Sequence, residues 1–171
     1  MRHRSRHPTR PWLTTAALVL SLFASVAPLA AQGGGGNSEG DVAVVVQADV
    51  PIDNLTLGDL RRLVLGDRAF WPASVRVALL IRAPVAHERD VVLKTICQMS
   101  EAQFRQHWIA KVFRADTPVA PKIVYSSQSA AELTAQTPGA ITFIDASAVG
   151  KNLKVVKIEG RLPGDPGYLL R

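Results

Sequence analysis

The stretch VAVVVQADVPIDNLTLGDLRRLVLG, Val42 to Gly66, decides the fold. Its opening Val42–Val46 (VAVVV) is a continuous, mostly β-branched run, the kind carried by a strand covered on both faces. Beyond Pro51 the period changes. Thr56, with Asp59 three residues later, makes a capping-box-like start; Leu57, Leu60 and Val64 recur on one helical face, and Gly66 supplies a stop. A buried strand followed by a short amphipathic helix is the opening of an α/β domain.

Outward toward the C-terminus the alternation continues. Val75–Ile81 (VRVALLI) reads as a second strand, and Glu88–Met99 as a helix with Val91, Val92, Thr95, Ile96 and Met99 inward and Cys97 beside them. Ser100 and Gln103 form a capping box ahead of Phe104, Trp108 and Val112, spaced by four, with Ile109 and Phe113 beside them. Lys122–Tyr125 reads as a third strand, and Ser129 with Glu132 as the cap of a helix ending at Pro138 and Gly139. Ala140–Ile144 is a fourth strand, Leu153–Ile158 a fifth, and the tail from Gly160 has no periodicity. The predicted fold is α/β, three-layer, with a mostly parallel sheet of about five strands and about four helices, because β-helix-β connections place strands in parallel.

Outward toward the N-terminus the chain changes character. Arg2, Arg4, Arg6 and Arg10 precede an uncharged, mostly apolar run from Trp12 to Ala31, with Pro28 and then small residues at Ala30 and Ala31. That is the outline of a signal peptide over residues 1–31, cleaved near Gln32; an uncleaved anchor is the competing reading, since about 20 apolar residues span a bilayer. The organisation predicted is a leader (1–31), a flexible Gly-rich lead-in (32–40), one domain (41–160) and an irregular tail (161–171), the mature protein being periplasmic with no stable membrane anchor.

Charge narrows the function. Four of the 20 basic residues and none of the 14 acidic ones fall in the leader, which leaves 16 against 14. Nucleic-acid binding needs a basic face or stripe and is not expected. Cys97 is the single cysteine, so no intramolecular disulfide forms, and as a mid-helix residue it reads as a buried, inert thiol. No Gly-x-Ser-x-Gly turn is present, and His87 and His107 lack metal-ligand neighbours; an enzyme, a cofactor and a metal are not expected.

In open α/β sheets ligands bind beyond the carboxyl ends of the strands. The loops there carry Gln47 to Asp49, Arg82 to Glu88, Ser126 to Gln128, and Asp145 with Ser147. Arg82 offers a planar fork for two oxygens of a phosphate, sulfate or carboxylate, with Ser126, Ser127 and Gln47 as helpers. The plainer reading makes Arg82 a surface residue and the serines turn and cap residues.

Four segments together resemble the substrate-binding proteins of phosphate ABC transporters, of the type II periplasmic-binding-protein superfamily: Val42–Trp71, Val75–Ala83 (VRVALLIRA), Phe104–Phe113 (FRQHWIAKVF) and Thr137–Val149 (TPGAITFIDASAV). The resemblance implies a periplasmic-binding-protein-like domain that binds phosphate or another small oxyanion, with ABC transporter membrane subunits or another envelope protein as partner. Two departures qualify it. Family members follow the counterpart of Arg82 with a Ser-Gly-Thr turn, where this chain has Ala83, Pro84, Val85, Ala86 and His87; and they close two lobes, where this chain has length for one. The alternative is a binding-protein-like domain without a ligand, serving as a protein-interaction or sensor module in the cell envelope.

Overall fold

The computed structural model describes residues 40–117 and 119–171, so the proposed leader and nearly all of the lead-in lie outside the described residues. In chain order the elements are β1 (Val42–Gln47), β2 (Asn54–Leu55), α1 (Leu57–Val64), β3 (Ala78–Arg82), α2 (His87–Val91, continued as a π-helical segment Val92–Cys97), α3 (Glu101–Phe113), β4 (Lys122–Val124), α4 (Ser127–Gln136), β5 (Ala140–Asp145), β6 (Leu153–Val155) and β7 (Lys157–Ile158).

The valine run does what its composition implies. Val42 to Val46 are fully buried, and their side chains divide between the two faces of a five-stranded sheet ordered β4-β3-β5-β1-β6. On one face Val42, Val44 and Val46 pack with Leu60 and Leu63 of α1, Val92 and Ile96 after α2, and Phe104 and Trp108 of α3. On the other, Ala43 and Val45 pack with Leu80, Ala140, Ile144 and Ala130 of α4. Helices thus cover both faces of the sheet, in three layers. Removing each such valine side chain from water stabilises the fold by ~1.5 kcal/mol or more.

Four of the five strands point the same way, as expected of a mostly parallel sheet; β1 is the exception. β3 is parallel to β4 and β5, while β1 runs antiparallel to β5 (Val42↔Asp145, Val46↔Ile141) and to β6. The chain enters β3 from a tight reversal: Trp71 N donates to Val75 O (2.8 Å) and Val77 N to Ala69 O (2.9 Å). That reversal takes up Val75–Val77, so β3 starts at Ala78 instead of Val75. It is pinned by Gly139, whose carbonyl accepts from Trp71 Nε1 (2.8 Å) and Ala78 N. Gly139 has φ +72°, and a Cβ there would lie 2.1 Å from Arg76 O, so only glycine fits.

Other boundaries shift for local reasons. The Glu88–Met99 helix widens into a π-turn in which Leu93 O accepts from Gln98 N and Met99 N. The capping box at α3 forms as read, with both Ser100–Gln103 hydrogen bonds present. α4 is capped by Ser126, whose Oγ accepts from Ser129 N (3.0 Å), and not by Ser129. The fifth strand divides into β6, in the main sheet, and β7, which pairs in parallel with β2. The tail has no regular element, yet Leu170 is buried, Leu170 O accepts from Val42 N, and the buried Tyr168 hydroxyl donates to Val42 O (2.8 Å). Burial pushes the Tyr168 phenol pKa up.

Candidate functional site

β3 ends at Arg82 and β4, its parallel neighbour, at Val124, so the turns that follow both strands open on one edge of the sheet. The register puts Arg82 level with Val124, two residues before Ser126. α2 starts on this edge too, and it carries Glu88 in its first turn. The result is a buried polar cluster: Arg82 Nε donates to Glu88 Oε1 (3.2 Å), and Ser127 Oγ donates to the same oxygen (2.7 Å). Arg82 also reaches the Val124 carbonyl (3.4 Å). The side chains of Arg82 and Glu88 are 11% and 9% exposed.

Glu88 therefore lies in the fork the sequence assigns to an oxyanion. Its carboxylate is itself an anionic pair of oxygens, and one of them, Oε1, takes both donors. Burial would raise its pKa, but the Ser127 hydroxyl, its own backbone N–H and the Arg82 guanidinium more than offset that, so its pKa lies below the usual glutamate value. The site is internally neutral and hydrogen-bonded.

Of the four residues nominated from sequence, the structure brings Arg82 and Ser127 together. Ser126 lies beside them, its hydroxyl engaged in capping α4. Gln47 lies at the other end of the sheet. Because β1 is antiparallel to β5, its last residue falls beyond the Val46↔Ile141 pair, and Ile141 also pairs with Leu79, three residues before Arg82. Among the described residues the Gln47 side chain bonds to Asp49 nearby. The end of β1 that faces the Arg82 edge is its start, where the buried Asp41 holds Arg171 (2.9 Å) and Gly164 N (2.7 Å).

Glu88 is the residue that sequence reasoning missed. It belongs to the loop named as a candidate, but as an acid it does not count as a ligand for an anion. The available signal was an acid six residues after the arginine, at the start of a helix that favours negative charge there.

The turn between Arg82 and Glu88 is strained. Ala86 N bonds back to Ala83 O (3.3 Å), and Val85 has φ 69° while fully exposed. With Pro84 before it, this is the position of a type II turn that calls for glycine, and a β-branched residue is disfavoured there. His87 Nε2 lies 3.2 Å from Gly40 O and His107 Nε2 2.9 Å from Leu65 O, each a structural hydrogen bond. Cys97 is buried, which pushes its thiol pKa up to about 12. Among the described residues no three His, Cys, Asp or Glu side chains are grouped to hold a metal, and no helix is long and apolar enough to cross a membrane.

No family model matches the chain, and no curated protein matches it. Solved structures do. A Clostridium perfringens protein described as a phosphate ABC transporter substrate-binding protein, with phosphate bound, aligns with a TM-score of 0.59 at 17% identity, over 72% of this chain and 46% of that one. An ABC-type phosphate transport receptor of Vibrio cholerae gives 0.58 at 21% identity, over 72% and 48%. PstS of Borrelia burgdorferi gives 0.58 at 15%, over 72% and 49%. The chain thus has the periplasmic-binding-protein-like fold of these phosphate transport proteins and spans about half their length.

Proposed function

We propose that this protein is an exported, periplasmic binding-protein-like domain and not an enzyme. It takes phosphate or another small oxyanion at Arg82 and Ser127, in connection with ABC transport. The observation that carries the reading is the convergence of Arg82 Nε and Ser127 Oγ on one carboxylate oxygen. Two donors from different elements, at the carboxyl ends of adjacent strands, already hold an oxyanion, and an incoming ligand makes the same bonds once Glu88 turns out to solvent. That exchange is costly, because Glu88 competes from the same chain at high effective concentration. Binding by the wild-type chain is therefore weak, with a dissociation constant on the order of millimolar.

The test is calorimetric titration of phosphate, with sulfate and acetate alongside, into wild type, Glu88→Gln and Ser127→Ala. The neutral glutamine keeps the shape and removes the competing charge, so Glu88→Gln binds phosphate at least roughly tenfold tighter, a gain of about 1.4 kcal/mol. Ser127→Ala binds more weakly than wild type. Heats indistinguishable from dilution in all three proteins would sink the reading.

A second reading is favoured by the same Glu88: a site filled by its own carboxylate needs no ligand. On that view the domain has kept the fold, lost the solute, and works as an interaction or sensor module of the envelope. The titration separates the two, since this reading predicts no anion binding even in Glu88→Gln.

A further inference from the structure

On the side away from β5, β3 has two neighbours that do not meet. At its entry the reversal reaches it through Val77 N, which donates to Ala69 O (2.9 Å); farther on, β4 begins at Lys122, level with Leu80. Ala78 and Leu79, both paired with β5 on their other side, therefore have no strand against them here. The gap is a cavity of about 300 Å³, at the lower end of the range for small-molecule pockets. Leu63, Leu79 and Trp108 give it an apolar floor. Gly66, also in the lining, makes room for the indole: a Cβ there would lie 2.7 Å from Trp108 Cη2.

Three cations line the cavity from two sides, Arg68 and Arg76 from the reversal and Lys122 from β4, and among the described residues no Asp or Glu lines it. Nearby acids do little to neutralise them. Arg76 and Lys122 are exposed and form no salt bridge among the described residues, although Arg76 rests on the Phe70 ring (5.2 Å). Arg68 has Asp59 at 3.9 Å, but Asp59 already holds Arg62, and Asp67 is taken by Lys111 (2.6 Å). A backbone donor joins the cations. Donors along one edge of a strand recur every second residue, and Val77 N and Ala83 N, which donates to Val124 O (2.8 Å), both lie on this edge. Leu79 N lies on it too, in the gap, and has no acceptor among the described residues. A buried N–H left without a partner is costly.

We propose that this cavity binds a small organic acid, its carboxylate on Leu79 N between Arg76 and Lys122 and its apolar body, about one ring in size, against Leu63 and Trp108. Cations gathered around low-dielectric walls focus their field and draw in an anion, and a guanidinium suits a carboxylate. Other occupants use half of the site. An inorganic anion leaves the apolar floor uncovered, and a neutral apolar molecule leaves the cations and Leu79 N unmatched. The cavity sits at the start of β3 and Arg82 at its end, so the inference goes beyond the oxyanion reading and stands whether or not Arg82 takes a ligand.

The test is calorimetric titration of the purified protein with benzoate, beside acetate, which lacks the ring, and benzyl alcohol, which lacks the charge. Benzoate binds with a constant on the order of 1 mM, at least roughly tenfold tighter than either. Arg76→Glu and Lys122→Glu each weaken it by at least roughly tenfold, at an unchanged melting temperature because both residues are exposed. Four results would overturn the proposal: no heat from benzoate beyond dilution, acetate binding as tightly as benzoate, wild-type affinity in both glutamate variants, or a roughly tenfold gain in Glu88→Gln, which would put the acid at Arg82 instead.

Discussion

The edge of the sheet around Arg82 and the groove along α3 border one another and are finished in opposite ways. At the edge, polar groups are buried and matched internally: Glu88 takes Arg82 and Ser127, and Asp41 takes Arg171 and Gly164 N. In the groove, apolar groups lie open: Ile109, Val112 and Phe113 of α3 and Ile123 of β4 are all exposed. Buried charge is tolerable only when paired, so the edge has settled into a self-contained state. Exposed apolar surface costs the fold little but favours association, so the groove is the region open to something from outside.

Four substitutions sharpen or break this contrast. The largest effect is expected from Arg82→Ala, which leaves the Glu88 carboxylate buried without its cation. A loss of about 3–5 kcal/mol follows, read as a fall in melting temperature on the order of 10–15 °C. A fall of only a degree or two would show that Glu88 escapes to solvent freely and that the site is looser than its geometry.

Glu88→Gln comes next and works through pH. Because the Glu88 pKa is lowered from 4.5 in the folded state, its ionic contribution is present above that value and is lost as the pH falls through the folded one. Stability attributable to this residue is therefore flat near neutrality and drops below pH 4.5. The acid limb of a melting-temperature profile becomes shallower in Glu88→Gln; identical limbs in the two proteins would count against an ionised Glu88.

Val85→Gly is a smaller effect of opposite sign. Glycine relieves the φ of 69°, worth about 1–2 kcal/mol, while the freer unfolded chain returns part of that, leaving a net gain of about 0.5–1 kcal/mol in chemical denaturation. Destabilisation there would mean that the turn is not strained. The smallest effect is that of Phe113→Ser in the groove, within about 0.5 kcal/mol of wild type. A large loss would show that the second apolar side of α3 is covered by the chain itself.

Much of the fold was legible because local patterns and tertiary needs agree. Val42–Val46 is a strand buried on both faces, and Ser100 with Gln103 forms its capping box, because nothing elsewhere in the chain competes with those local choices. What was not legible depends on direction and partnership. The direction of β1 relative to β5 leaves no trace in composition, and it decides that Gln47 lies away from Arg82. Ser126, Ser127 and Ser129 are all competent to cap a helix, and only the fold shows that Ser126 takes the cap and that the Ser127 hydroxyl bonds Glu88 instead. Glu88 was illegible as a site residue because residue type alone distinguishes ligands from competitors only when the position is known. Phe104, Trp108 and Val112 read alike in a period of four, yet the first two are core and Val112, with Phe113 beside it, is exposed.

The account rests most directly on the claim that Glu88 occupies an oxyanion site. The deciding measurement is the phosphate titration of Glu88→Gln beside wild type at constant ionic strength. Phosphate binding at least roughly tenfold tighter in the variant, and weakened again by Ser127→Ala in the same background, is the predicted result. Equal, undetectable binding in wild type and Glu88→Gln would contradict it and leave the Arg82–Glu88–Ser127 cluster as a purely structural ion pair.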